Sequence, residues 1–316
     1  MSATTSHKSR NLSNHQLNNN WKPTTVLISG SGMQVCLNLG CLKALEEQEL
    51  TEVKVWVGTS TCAIVALLLS CDYTITEIID LIIPHCNRGK LTDLGTVTQV
   101  LIGQGLILIS EVREWLEKAV LDRCGSVPSL KGLYLQNGKS FCVTTLTREG
   151  VEVLSWQTHP RLSCVEACLR AISVPYVFTH TDSVGGADAF LALPSPVEYF
   201  DDEHTHILNL MVDPYSSEPH VVNTGQLVMS LSDPTSSALQ TLNSLIRARQ
   251  SDCVDRTSEA VRHVMLSSYT PDPIGYSADA GRLLADGFMD GWHYLATGYL
   301  EPEISVPRQF SYSSHS

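Results

Sequence analysis

The sequence predicts an α/β protein with a mostly parallel central sheet and helices on its faces, and three observations predict it. Short apolar, β-branched runs read as buried strands, two of them end in glycine-bearing turns, and helical stretches follow those turns. The first run is Thr24–Ser29 (TTVLIS), followed by the turn Gly30-Ser31-Gly32. From Val35 to Glu49, Val35, Leu39, Leu42 and Leu45 fall on one helical face, and Glu46, Glu47 and Glu49 close the segment. Val53–Val57 reads as a second buried strand. It runs into Gly58-Thr59-Ser60-Thr61-Cys62 and then into the apolar helix Ala63–Leu69. This β–turn–α–β–turn–α order implies parallel strands joined by right-handed crossovers, in a single three-layer α/β/α domain.

Further along, helices are expected over Ile75–Ile83 and Ser110–Asp122. Strands are expected over Lys139–Thr147 and Val151–Ser155, with Glu149-Gly150 between them. Ser163–Ala171 reads as a helix that Pro175 ends, and Ile207–Val212 as another buried strand. Residues 223–265 read as mostly helical, and a last helix spans Ser277–Tyr299. No repeat or linker interrupts residues 23–302, so one domain is expected there. Residues 1–22, polar and rich in Asn and Ser, read as a disordered leader, and 303–316 as a flexible tail.

The bulk chemistry narrows the partners. The net charge of −12 repels phosphate backbones, so nucleic acid is not an expected partner, nor is a basic face resting on anionic lipid. A lipid substrate stays open, because its tails bind through apolar burial at about 0.8 kcal/mol per methylene. Transient contact with a membrane surface is compatible with that. The ten cysteines are scattered without a CxxC pair and sit in apolar runs such as LSCVEACL, which suits buried thiols in a reducing compartment rather than disulfides or zinc. The N-terminus lacks the apolar core of a signal peptide, and the apolar run Ala63–Leu69 is too short to span a bilayer. An intracellular, soluble protein is expected.

Two turns carry candidate chemistry. In Val57-Gly58-Thr59-Ser60-Thr61-Cys62 a strand enters a sharp turn with Ser60 at its apex and a helix beyond. This is the setting of a nucleophile elbow, and it puts the hydroxyl at a helix N-terminus. Cys62 stands where G-x-S-x-G has its second glycine. A Ser that simply caps the following helix fits the same fragment. In the first turn, Gly30 and Gly32 allow backbone N–H groups to converge on an oxyanion. An ordinary tight β–α turn fits equally. A nucleotide site fits poorly, since there is no GK[ST] and Val35 stands where G-x-G-x-x-G needs its last glycine.

Taken together, VLISGSGMQVCLNLGCLKALEEQEL followed by VKVWVGTSTCAIVALLL resembles the patatin-like phospholipase family. The resemblance continues through FCVTTLTREGVEVLSWQTHPRLSCVEACLRAISVPYVF, through GGADAFLALPSPVEYF, and into DPIGYSADAGRLLADGFMDGWHYL, covering about residues 24–300 in order. It implies the three-layer patatin-like fold and a Ser–Asp dyad. Ser60 would be the nucleophile, and Asp188, placed by its offset from Pro196-Val197, the base. The backbone of Gly30, Ser31, Gly32 and Met33 would form the oxyanion hole, and Gly58 and Cys62 would frame the elbow. The implied substrates are acyl esters of glycerolipids such as phospholipids or neutral glycerides, with no metal or organic cofactor. The chain departs from the family's G-G-G-x-[RK]-G loop at Ser31, Gln34 and Val35, from its elbow at Cys62, and from its D-G motif at Ala189. A catalytically degenerate lipid-binding or scaffold protein on the same fold is therefore the alternative.

Other residues have plainer readings. Asp182 is an alternative base whose offset from Pro196 fits less well. Asp201 and Asp202 read as a solvated turn, and His180, His204 and His206 as polar residues rather than a zinc site or a triad member. Leu101–Ile109 (LIGQGLILI) suits either a lid over an acyl pocket or ordinary core packing.

Overall fold

A computed structural model of the chain describes residues 21–30, 32–86, 107–173, 178–179, 186–190, 192–213, 246, 248–267 and 279–297. Among them the strands are β1 (Thr25–Ile28), β2 (Val55–Gly58), β3 (Ile107–Leu108), β4 (Ser140–Thr147), β5 (Gly150–Leu154), β6 (Phe178–Thr179), β7 (Ala187–Asp188), β8 (Ile207–Asp213) and β9 (Val261–Ser267). The helices are α1 (Val35–Leu45), α2 (Cys62–Ser70), α3 (Ile75–Cys86), α4 (Ile109–Cys124), α5 (Leu130–Asn137), α6 (Cys164–Ile172) and α7 (Ala280–Thr297), and residues 248–256 are also helical.

The main sheet runs β5-β4-β2-β1-β8-β9, with β7 also paired to β4. The pairings β4·β2, β2·β1, β1·β8 and β8·β9 are parallel, while β5 and β7 meet β4 antiparallel. β3 and β6 form a separate parallel pair. This is the mostly parallel sheet flanked by helices that the sequence predicts.

Alternation along the strands sorts the two faces. Val26, Ile28, Trp56, Phe141 and Val143 point into the large core shared with α1, α2, α6 and α7. Leu27, Val57, Cys142 and Ile207 point the other way, against Val197, Phe200 and Cys253. The physical reason is handedness. From β1 to β2 to β4 the chain steps one way across the sheet, and right-handed crossovers stack α1 and α2 on one face. From β8 to β9 it steps the other way, so the helical residues 248–256 cover the opposite face. The direction reverses at β1, and in open α/β sheets ligands bind outside the carboxyl ends of the strands at such a switch point.

Three expectations change. Residues 223–265 do not end in helix, because Val261–Ser267 is the edge strand β9, in parallel register with all seven residues of β8. Val261 and Val264 stand three apart, as on a helix face, but pairing with the fully buried β8 decides in favour of strand. Of the rest of that stretch, 223–245 and 247 lie outside the described residues, while 246 and 248–256 are helical as expected. The first helix stops at Leu45 rather than Glu49, since the polar Glu46–Glu49 has no apolar face to bury. Trp21 and Lys22, expected at the end of a leader, pack on the sheet. Trp21 stacks on His206 at 5.4 Å, and Arg262 lies 4.0 Å over its ring. One helix went unread, α5, with Ser129 accepting from Gly132 N–H at 3.1 Å and Gly138 closing it at φ 67°.

Candidate active site

The site begins where β2 ends. Gly58 lies so close to the start of α2 that an added Cβ would stand 2.5 Å from the Ala63 Cα and 2.6 Å from the Cys62 carbonyl oxygen. Glycine at this position lets the helix fold back against the strand. The chain then turns sharply, and Ser60 takes a left-handed φ of 54°, costly for a residue with a side chain. Its carbonyl accepts from Ala63 N–H at 2.9 Å, opening α2 directly behind it. The helix-capping reading of Ser60 does not fit this geometry, since Ser60 is left-handed where an N-cap residue is extended, and Thr61 holds the N-cap position.

β7 carries Asp188, held by pairing of Asp188 with Thr145 of β4 and by Asp188 N–H donating to Ser173 C=O at 3.0 Å. Thr145 Oγ1 lies 3.0 Å from the Ala187 carbonyl. A Cβ on Gly186 would meet that same hydroxyl at 2.4 Å, so a larger residue there would force the Thr145 side chain to shift. The Asp188 carboxyl accepts from Phe190 N–H at 2.8 Å, and the neighbouring Ser60 hydroxyl favours its charged form. Burial pushes its pKa up to about 6, against the opposing pull of those two groups. A serine beside a carboxyl group whose pKa lies near neutrality has the chemistry of a nucleophile with its base.

The glycine turn after β1 closes one side. A Cβ on Gly30 would stand 2.7 Å from the Ser60 Cβ and 2.8 Å from a Phe190 ring carbon, so the serine and the ring both pack against the glycine turn. Gly32 has φ 55°, and its carbonyl accepts from the Thr61 hydroxyl at 2.9 Å. Ser31 lies outside the described residues, and Met33 enters the short 3-10 turn Gly32–Gln34. The departures at Val35 and Cys62 carry no left-handed strain, because both are the first residues of helices with ordinary φ. The Cys62 thiol turns inward, 3.4 Å from Asn38 Nδ2.

The remaining candidates lie apart from the pair. Asp182 and His180 fall outside the described residues, as does Leu101–Leu106 of the lid candidate. Asp202 caps a turn through His204 and Thr205 N–H groups, as expected. Asp201 does more than face solvent, accepting from Ser258 N–H at 2.7 Å and Ser258 Oγ at 2.6 Å and so clamping the approach to β9. His206 sits at the amino end of β8, where its Nδ1–H donates to the Lys22 carbonyl at 3.1 Å. Among the described residues no group of three or more His, Cys, Asp or Glu side chains gathers as a metal site would require. All ten cysteines are free thiols. No described helix is long and apolar enough to cross a membrane.

Sequence reading missed Phe190 and Thr61. Phe190 follows Asp188 by two residues, and Thr61 follows Ser60 directly, but only the fold turns them toward the glycine loop.

A family model described as patatin-like phospholipase matches residues 26–213 of the chain. Among solved structures, the type III effector protein ExoU is similar at 15% identity and TM-score 0.47, over 88% of this chain and 54% of ExoU. VipD from Legionella pneumophila is similar at 16% identity and TM-score 0.48, over 87% of this chain and 67% of VipD. The ExoU–SpcU complex from Pseudomonas aeruginosa gives 16% identity and TM-score 0.46, over 87% of this chain and 52% of that one. The chain thus spans about half the length of ExoU. No curated protein matches it significantly.

Proposed function

Because the chain belongs to the patatin-like phospholipase family, we propose that it hydrolyses acyl esters of glycerolipids, with Ser60 as nucleophile and Asp188 as base. Ser60 Oγ attacks the ester carbonyl while its proton passes to the Asp188 carboxylate. The tetrahedral oxyanion is held by backbone N–H groups of Gly30, Ser31, Gly32 and Met33, helped by the positive end of α2 behind Ser60. Asp188 then gives its proton to the departing alcohol. In the second half, Asp188 takes a proton from water, the hydroxide attacks the acyl-serine, and Ser60 leaves with that proton. Every proton is accounted for by one carboxylate, so the chemistry calls for no metal or organic cofactor.

The observation that carries this reading is the left-handed turn at Ser60, packed against the Gly30 turn, with the Asp188 carboxyl beside it and its pKa raised by burial to about 6. A strained backbone at one residue, beside one carboxylate, is the signature of a preorganised nucleophile.

The test is labelling by a fluorophosphonate together with turnover of a chromogenic short-chain acyl ester. Wild type should label and turn over, Ser60→Ala should do neither, and Asp188→Ala should lose turnover. A wild type that binds lipid but neither labels nor hydrolyses would instead identify a lipid-binding or scaffold protein on this fold.

A further inference from the structure

We infer that Phe190 is the specificity-determining residue of the acyl site, its ring forming the wall beside Ser60 that admits an acyl group unbranched at its α carbon. The inference rests on the hydrolase reading above and names which esters that site takes.

The geometry converges on one point. The position a Gly30 Cβ would occupy is 2.7 Å from the Ser60 Cβ, 2.8 Å from Phe190 Cδ2 and 3.1 Å from Phe190 Cγ. The ring therefore lies against the backbone of the glycine turn, immediately beside the nucleophile. It is only half-buried, so one side packs on the site while another meets solvent. A residue so placed borders the approach to Ser60 rather than filling the core.

Two further facts place the residue there. Phe190 N–H donates to Asp188 Oδ1 at 2.8 Å, and Ala189, between them, is fully buried. The backbone leading into Phe190 is thus held in place beside Asp188. Gly30 supplies the complementary half of the arrangement, since any side chain there would collide with the ring. An acyl carbonyl carbon bonded to Ser60 Oγ would carry its α substituents within reach of this wall. A methylene lies flat beside an aromatic face, whereas an α-methyl branch would press into it. Rejection of one such group is worth roughly 10-fold to 200-fold in kcat/KM.

Substitution of the ring leaves the Phe190 N–H, and hence its bond to Asp188, in place. That separates wall from dyad. The experiment compares p-nitrophenyl butyrate with p-nitrophenyl isobutyrate for wild type, Phe190→Leu and Phe190→Ala, with fluorophosphonate labelling of Ser60 run alongside. Wild type should prefer the linear ester, and Phe190→Ala should raise the isobutyrate-to-butyrate ratio of kcat/KM by about tenfold or more. Phe190→Leu, which keeps most of the packing volume, should give an intermediate ratio and decides the matter if the alanine variant does not fold. A residue that only supports the fold would lower both esters together, so an unchanged ratio in a labelled, folded variant overturns the inference alone. A wild type that neither labels nor hydrolyses overturns the hydrolase reading and the inference with it.

Discussion

The Thr61 hydroxyl donates to the Gly32 carbonyl at 2.9 Å and so ties the turn after β1 to the elbow after β2. The two turns are 29 residues apart in sequence, yet they must hold one geometry if backbone N–H groups are to face the Ser60 oxygen. Replacing Thr61 with Val keeps the shape and removes the bond. Stability should fall by about 1 kcal/mol in a denaturant titration. Turnover should fall by about tenfold with KM changed much less, because the loop is needed most in the transition state. Equal losses in kcat and stability-corrected binding, or no kinetic change, would show that the tie does not support catalysis.

The two glycines facing the elbow should respond differently to alanine. At Gly58 the new methyl meets backbone atoms at 2.5 to 2.7 Å, so α2 itself must move. Gly58→Ala should cost about 3 kcal/mol or more, read as a large drop in thermal midpoint or as insoluble protein. At Gly30 the methyl meets the Ser60 Cβ and the Phe190 ring. Gly30→Ala should keep more of its stability but lose about a hundredfold in turnover, since small displacements of a nucleophile are costly.

The raised pKa of Asp188 sets the pH profile. As base the carboxyl must be ionised, so kcat/KM should be flat above pH 7 and fall tenfold per unit below about 6. A profile whose acid limb sits near pH 4 would mean the carboxylate is better solvated than its burial indicates. Asp188→Asn should remove that limb along with most of the activity.

His263 should govern acid stability. Its Nδ1 accepts from Asn209 Nδ2 at 3.1 Å, and its Nε2–H donates to Thr257 Oγ1 at 2.8 Å, so the ring is held neutral. Burial lowers its pKa to about 4 from 6.5. The folded state therefore resists the proton that the unfolded chain takes up. The stability from this group is complete above pH 6.5 and is lost as pH falls from there toward 4, by about 3 kcal/mol at most. Asp188 and Asp290, both raised to about 6 by burial, act oppositely, their cost easing as pH falls below 6. The comparison is thus wild type against His263→Gln. The stability difference should shrink between pH 8 and pH 5, and a difference constant with pH would rule the mechanism out.

Restoring the family glycine at the elbow should bring no benefit. Cys62 is fully buried in the first turn of α2, with its thiol 3.4 Å from Asn38 Nδ2 and no left-handed φ to relieve. Cys62→Gly would lose that packing and add backbone freedom inside a helix. It should destabilise the fold by about 1 to 3 kcal/mol without raising turnover.

What the sequence determined by itself was local. The apolar runs around β1 and β2, the glycines after them and the apolar α2 are each dictated by neighbours in the chain, so the opening β–α–β–α unit was legible. So was Ser60 at its apex. Val261–Ser267 was not, because its helix-like spacing is overruled only by the buried partner β8 alongside it. Ser60 and Asp188 stand 128 residues apart, and no local propensity brings them near each other; the sequence offered Asp188 only through a motif offset. Tertiary structure brings the two residues near each other through the register of β7 on β4, the Gly186 crossing over Thr145, and the reversal of strand direction at β1. The same holds for Phe190 and Thr61. Their side chains acquire meaning only where the glycine turn and the elbow, far apart in sequence, are packed to within contact distance by the adjacent strands that carry them.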